Sequence, residues 1–184
     1  MKRYFPSSLD RFQMVMTTLA LALGIGVPAG VAVTFVRLGL SPWLLAPTVL
    51  LVVVALGSAF AYRPLGVEVA TSAITVKRPL GGKDIPFGEI QEITGAVEWP
   101  SKSIGVFRSG GFFGTYGVFW APSWGRFEAW TTRKQPLVVV RLRDDRRVLL
   151  SVDDLAGFLA AAREATARRS VPVIHDAPAD AAAR

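Results

Sequence analysis

The stretch PLVVVRLRDDRRVLLSVDDLAGFL, Pro136–Leu159, decides the fold. Two aliphatic runs flank a charged centre. Val138, Val140 and Leu142 share one face of a strand, and Val148, Leu150 and Val152 share one face of a second, because side chains alternate along an extended chain. Both faces point inward if Leu142 sits opposite Val148, which leaves Asp144, Asp145 and Arg146 as a three-residue hairpin connection. That register sets Arg143 opposite Arg147, with Arg141 two residues away. Such a cluster of like charges is tolerated where solvent or the aspartates screen it, and is useful where it meets an anion. Beyond the hairpin, Leu155, Phe158, Leu159 and Ala162 fall at i, i+3, i+4 and i+7, the apolar stripe of an amphipathic helix. Ser151 and Asp154 precede it at the spacing of a capping box.

The residues before this hairpin continue the strand pattern. GVEVATSAITVKRPLGGKDIPFGEIQEITGAVEW, starting at Gly66, places Val67 with Val69 and Ile74 with Val76 on shared faces, with PLGG as a turn. RFEAWTTR adds another strand, on which Phe127 points inward and Glu128 and Trp130 lie on the other face. Short strands bounded by turn residues and closed by one helix favour a small barrel or sandwich.

Between them lies RSGGFFGTYGVFWAPSWGRFEAW, Arg108–Trp130, dense in both glycine and aromatic rings. Gly111, Gly114 and Gly117 recur every three residues, yet no Gly-Lys-Ser/Thr follows and no helix is signalled, so a phosphate loop is excluded. The glycines instead supply positive φ or close backbone approach in a long, non-repetitive connection. Phe112, Phe113, Tyr116, Phe119 and Trp120 exceed what turns require. They either pack over an open barrel edge or form a membrane-facing aromatic loop set against the bilayer or a neighbouring helix.

The N-terminal third is of another kind. Phe12–Val36 and Leu38–Tyr62 contain no charged residue, and only Arg37 separates them. Each run is long enough to cross a hydrocarbon layer about 30 Å thick at roughly 1.5 Å per helical residue. Two membrane-spanning helices are expected. Lys2, Arg3 and Arg11 precede the pair and Arg63, Lys77 and Arg78 follow it, so the positive-inside rule puts both termini in the cytoplasm. Residues 1–63 hold five basic and one acidic side chain, and most of the chain's net charge of +7 is thereby topological. Nucleic acid is a poor explanation of it. Gly26 and Gly30 stand four apart around Pro28, a spacing that lets helices approach closely, either within the hairpin or in self-association.

Little in the chain supports catalysis. There is no cysteine, the single histidine, His175, lies near the C-terminus, and no G-x-S-x-G occurs. Metal sites, cofactors and the usual nucleophile sets are therefore not expected. The terminal SVPVIHDAPADAAAR has prolines, alanines and no periodicity, and reads as a flexible tail.

Strands in series closed by one C-terminal helix resemble the pleckstrin-homology (PH) fold. The Gly-aromatic stretch, the G-R-F that opens a strand, the T-T that ends it, and the aliphatic hairpin before D-D-x-x-x-F resemble the bacterial PH-domain family. Members of that family often sit behind two transmembrane helices. The resemblance covers roughly Pro64 to Ala165 and implies a binding role. Phosphoinositide sites of eukaryotic PH domains place basic residues around the first hairpin, whereas the turn here is ATSA, so inositol-phosphate recognition is not implied. Lys77, Arg78 and Lys83 lie around the next turn. With Arg141, Arg143 and Arg147 they are the candidate anion or lipid contacts.

The sequence thus divides into a cytoplasmic N-terminal segment (1–11), a two-helix transmembrane hairpin (12–63), a mainly β PH-like barrel or sandwich with one C-terminal helix (64–168), and a tail (169–184). The expected function is non-catalytic binding at the inner membrane surface, with a protein or anionic phospholipid as partner. The other reading is an accessory subunit of a membrane complex, held by its hairpin.

Overall fold

A computed structural model of the chain describes residues 2–110, 113–167 and 173–176. The chain opens on a strand, β1 (Arg3–Pro6), and then runs into helix α1 (Arg11–Arg37). Asp10 caps α1 by accepting the Gln13 N–H at 2.8 Å, which satisfies a donor that the first turn leaves free. A short 3₁₀ turn (Pro42–Leu45) leads into α2 (Ala46–Tyr62). Both helices are long and apolar enough to cross a membrane. The hydroxyls of Thr18, Thr34 and Ser58 bond carbonyls of their own helices. The helices pack closely at Gly24, where an added Cβ would lie 2.8 Å from Leu56 Cδ1. Gly26 and Gly30 play no part in that packing, since nothing lies within 4 Å of where their Cβ would stand.

After α2 come β2 (Gly66–Val69), β3 (Ala73–Lys77) and β4 (Gly82–Pro86), followed by β5 (Ile90–Val97), β6 (Ile104–Gly110), β7 (Thr115–Ala121) and β8 (Gly125–Thr131). Then come β9 (Leu137–Leu142), β10 (Arg147–Ser151), α3 (Leu155–Thr166) and β11 (Val173–His175). They form two sheets, one ordered β1-β2-β3-β4 and the other β11-β5-β9-β10-β8-β7-β6. The result is sandwich-like and not a closed barrel. The strand content departs from the sequence reading at two stretches. The stretch taken as a non-repetitive connection builds β6 and β7, and part of the stretch taken as a tail pairs with β5 as β11.

The β9–β10 hairpin has a different register from the expected one. Arg147 pairs with Arg141, and Val148 with Val140. The connection is Arg143, Asp144 and Asp145, closed by the Asp145 N–H donating to Leu142 O at 3.0 Å, with Asp145 at φ +63. A left-handed residue is what a three-residue hairpin loop requires at its last position. The shift moves each partner by two residues, so every side chain keeps its face.

Both faces of this hairpin are buried. Val138, Val140, Leu142, Val148, Leu150 and Val152 join Val67, Ile74, Val76 and Ile85 of the smaller sheet in the main core, which Phe158 and Leu159 of α3 close. Leu137, Val139 and Leu149 join Phe119, Phe127 and Ala129 in a second core on the outer face, with Trp99 and Trp124 packed against it. Phe127 thus faces outward, not inward as expected, and Trp130 packs against the main core instead. A strand buried on both sides reads as a continuous aliphatic run, which accounts for LVVV at Leu137–Val140.

Candidate interaction surface

The hairpin is fastened to the β domain by its roots. β1 lies before α1 and β2 after α2, and they pair antiparallel from Arg3↔Val69 to Pro6↔Gly66. Residues 7–10 then run past the ends of the neighbouring strands β8 and β10, where the Asp10 N–H donates to Thr132 O at 3.1 Å. The segment from β8 to β9 crosses the end of β10, and there Ser151 Oγ accepts the Thr132 N–H at 2.8 Å. Ser7 Oγ lies 2.6 Å from both Thr132 Oγ1 and Ser151 Oγ. Ser151 is thus committed to this buried crossing and not to the helix cap. Asp154 caps α3 alone, accepting from Gly157 N at 2.9 Å. Asp153 instead accepts from Ser8 N and pairs with Arg133 at 2.6 Å. Replacing Ser151 with alanine leaves the Thr132 N–H without its partner, and a buried donor so orphaned costs about 1–3 kcal/mol. A correspondingly lower unfolding midpoint of the detergent-solubilised chain is expected; an unchanged one would show that the strand ladder alone holds the crossing.

The Gly-aromatic stretch meets the hairpin directly. The Phe113 N–H donates to Thr17 Oγ1 of α1 at 2.8 Å, and its ring sits edge-on to Phe60 of α2 at 5.7 Å. Tyr116 donates its O–H to Ala59 O and stacks on Trp130 at 6.1 Å. Arg63 lies over the Phe60 ring at 4.4 Å and near that of Phe113 at 5.9 Å. The Leu80 N–H, on the β3–β4 turn, donates to Ala61 O at 3.0 Å. Gly114 (φ +122) and Gly117 (φ +125) hold the backbone conformations that sequence reasoning asked of them.

The five aromatics singled out for a membrane-facing loop therefore divide. Phe113 and Tyr116 are buried against the helices, and Phe119 is buried in the second core, so none of these three is an exposed lip. Trp120 is exposed, and Phe112 lies outside the described residues. Sequence reasoning missed Ile104, Val106 and Phe107 on β6, all exposed, with Phe107 at 83%.

The candidate cations form two groups, and most already have partners. Lys77 pairs with Glu68 at 3.1 Å, and Lys83 pairs with Glu128. Arg78 donates to Gly82 O and lies over Trp130 at 5.0 Å and Tyr62 at 5.6 Å. At the β9–β10 turn, Arg141 bonds Asp145 at 2.6 Å, which raises its pKa. Arg147 is half-buried over Trp124 at 5.5 Å, and its pKa is lowered by that burial and then by Arg141 opposite. Arg143 is exposed and has no ion-pair partner among the described residues. Exposed pairs of this kind hold little energy, but each one reduces the charge open to an anion. His175 stands 3.8 Å from Glu92 on the β11–β5 pair. Among the described residues, no group of three or more His, Cys, Asp or Glu is placed to hold a metal ion.

A cavity of about 750 Å³ separates the first turns of α1 from the outer face of the larger sheet, between Phe12 and Met16 on one side and Trp99 and Phe119 on the other. Lys134 crosses its rim over the Phe12 ring at 5.2 Å.

No curated protein and no solved structure matches the chain. A family model described as Bacterial PH domain matches residues 65–166, more than half of the 184. That match begins at the residue before β2 and ends at the last residue of α3, so it takes in β2 to β10 and the closing helix while leaving β1, the helical hairpin and β11 outside. The chain belongs to the bacterial PH domain family.

Proposed function

We propose that this chain is a membrane-anchored, non-catalytic binding module that presents its PH-like domain at the cytoplasmic face of the inner membrane, where it engages a protein or an anionic lipid. One observation carries the reading. β1 and β2 flank an apolar helical hairpin and are hydrogen-bonded neighbours, so both ends of the hairpin are on one side of whatever it spans. The basic residues Lys2, Arg3, Arg11, Arg63, Lys77 and Arg78 lie on that side against Arg37 alone on the other, which favours the cytoplasm for the domain. The docking contacts at Thr17, Ala59, Phe60 and Ala61 keep the domain against the helix ends. The partly neutralised cations favour a partner that reads shape and apolar surface over one that reads phosphate alone.

Absence of cysteine makes the test clean. Single cysteines at Gly39→Cys, in the helix connection, and Ser101→Cys, in the β5–β6 turn, are exposed to a membrane-impermeant maleimide on intact spheroplasts. Labelling at position 39 and protection at 101 until lysis is the expected result. Labelling of both before lysis would overturn the orientation.

A second reading has its own observation. Gly26 and Gly30 have open space on their face of α1, and small residues four apart admit a closely packed helix. In that case the chain is an accessory subunit joined to a complex through its hairpin, and enlarging Gly26 and Gly30 releases the partner.

A further inference from the structure

The larger sheet has seven strands and the smaller has four. The smaller one ends before it covers the β6–β7 ribbon, and the uncovered face can be read from the pairing. Cross-strand partners share a face. Phe119 points into the second core, so Tyr116, Val118 and Trp120 point the other way, with Ile104 opposite Trp120 and Phe107 opposite Val118. Ile104 is 60% exposed and Trp120 43%, and Val106, the residue left over at the β-bulge between Gly105 and Phe107, is 62% exposed. An exposed apolar run on an edge strand is a liability unless something occupies it.

The run starts at the hairpin. Tyr116, on the same face, bonds the carbonyl of Ala59 in the last turn of α2. Leu80, bonded to Ala61 from another element, is 59% exposed beside the same helix end. The apolar face therefore leads away from the point at which an apolar helix meets the domain, with Phe107 and Val118 about 7 Å and Ile104 and Trp120 about 13 Å along the ribbon from Tyr116. Lys102, at the base of β6, and Arg126, paired across from Trp120, are exposed and have no ion-pair partners among the described residues. Aromatic and aliphatic side chains mixed with unmatched cations suit the headgroup layer of a bilayer with anionic lipid. The bulge argues against simple strand addition by a second copy, since it bends the edge that a partner strand would have to follow.

We propose that the uncovered face of the β6–β7 ribbon, formed by Ile104, Val106, Phe107 and Trp120 and flanked by Lys102 and Arg126, rests in the headgroup layer of the membrane that the hairpin crosses. This inference depends on the membrane-anchored reading above. Contact there would fix the tilt of the domain and decide which of its other surfaces faces the cytoplasm.

The test uses the full chain in nanodiscs of phosphatidylcholine with phosphatidylglycerol, carrying an environment-sensitive NBD label at position 107 (Phe107→Cys) or, as a control within α2, at position 51 (Leu51→Cys). Blue-shifted emission from position 107, quenched by lipid-borne nitroxide and not by aqueous iodide, is expected. Reversing both cations (Lys102→Glu with Arg126→Glu) should cut the lipid-contacting population ratio more than about tenfold, since each basic residue near an anionic surface contributes roughly 1 kcal/mol. Quenching of position 107 by iodide alone would overturn the proposal. So would shielding from both quenchers with disulfide formation between two unlabelled 107 cysteines, which would assign the face to a second copy. Loss of lipid quenching at position 51 would overturn the anchoring reading itself.

Discussion

Replacing Phe158 with alanine is expected to abolish the folded sandwich near physiological temperature. The ring is fully buried, meets Phe5 of β1 edge-on at 5.7 Å, and closes the main core from α3. Deleting a buried phenylalanine side chain typically costs about 3–5 kcal/mol, because the cavity collapses only in part. The surroundings here have little freedom to collapse. α3 already lies so close to β5 that a Cβ on Gly95 would come 2.8 Å from Leu159 Cδ1, and β1 is pinned by its ladder to β2. A domain of this size has a stability of about 5–15 kcal/mol in total, so the loss is a large fraction of it. Thermal unfolding of the solubilised chain by near-ultraviolet circular dichroism should show a midpoint lower by more than about 10 °C. A drop of only a few degrees would mean that α3 lies over the core without closing it. Because Phe158 holds Phe5, the same substitution should loosen β1 and make the segment before α1 susceptible to protease.

How far the sequence shows this architecture depends on which residues one asks about. β9 and β10 were legible as two aliphatic runs, and the faces that join the main core were read correctly, whereas the second core on their other faces, with Leu137, Val139 and Leu149, was not foreseen. Nor was the register of the pair legible. The two registers differ by a slip of two residues and bury identical faces, so the hydrophobic pattern cannot separate them. What separates them is the residue that closes the loop in the left-handed conformation, Arg146 in the expected register and Asp145 in the observed one, and aspartate enters that region more readily than arginine. Ser151 misled for a related reason. Its spacing to Asp154 satisfies a capping box, yet the chain crossing at Thr132 takes its oxygen, and that crossing exists only once β8 has been placed parallel beside β10. The glycines of the aromatic stretch hid β6 and β7, although Tyr116, Val118 and Trp120 alternate with Gly117, Phe119 and Ala121 as strand residues should. The cations were visible and their partners were not, since Lys83 and Glu128 are 45 residues apart. The exposed face of β6 was out of reach altogether, because it follows from the unequal widths of two sheets.

Changing Gly114 to valine is expected to separate the domain from its helices while leaving the main core intact. At φ +122 the position disfavours any branched side chain, a penalty of about 1–3 kcal/mol by itself. Its new Cβ would also meet the Thr131 carbonyl oxygen at 2.8 Å and Pro64 Cδ at 3.4 Å. Neither neighbour gives way easily, since Thr131 belongs to the β8 ladder and Pro64 is held between α2 and β2. The turn between β6 and β7 must move instead. It carries the Phe113 N–H away from Thr17 Oγ1, the Phe113 ring away from Phe60 and Arg63, and Tyr116 from Ala59. Hydrogen exchange should therefore speed up at Phe113 and across Thr115–Ala121, with Leu137–Leu142 and Arg147–Ser151 keeping their protection. Thr17→Val supplies the comparison, because it removes the acceptor from α1 without altering the turn. Faster exchange at Phe113 alone is expected there, with β7 unaffected. If Gly114→Val left Phe113 protected, the turn would not be what fastens the domain, and the attachment would rest on β1 and the Ser7, Thr132 and Ser151 crossing. If it exposed β9 and β10 as well, docking and folding would be one event, and the hairpin would be part of the domain's structure as well as its anchor.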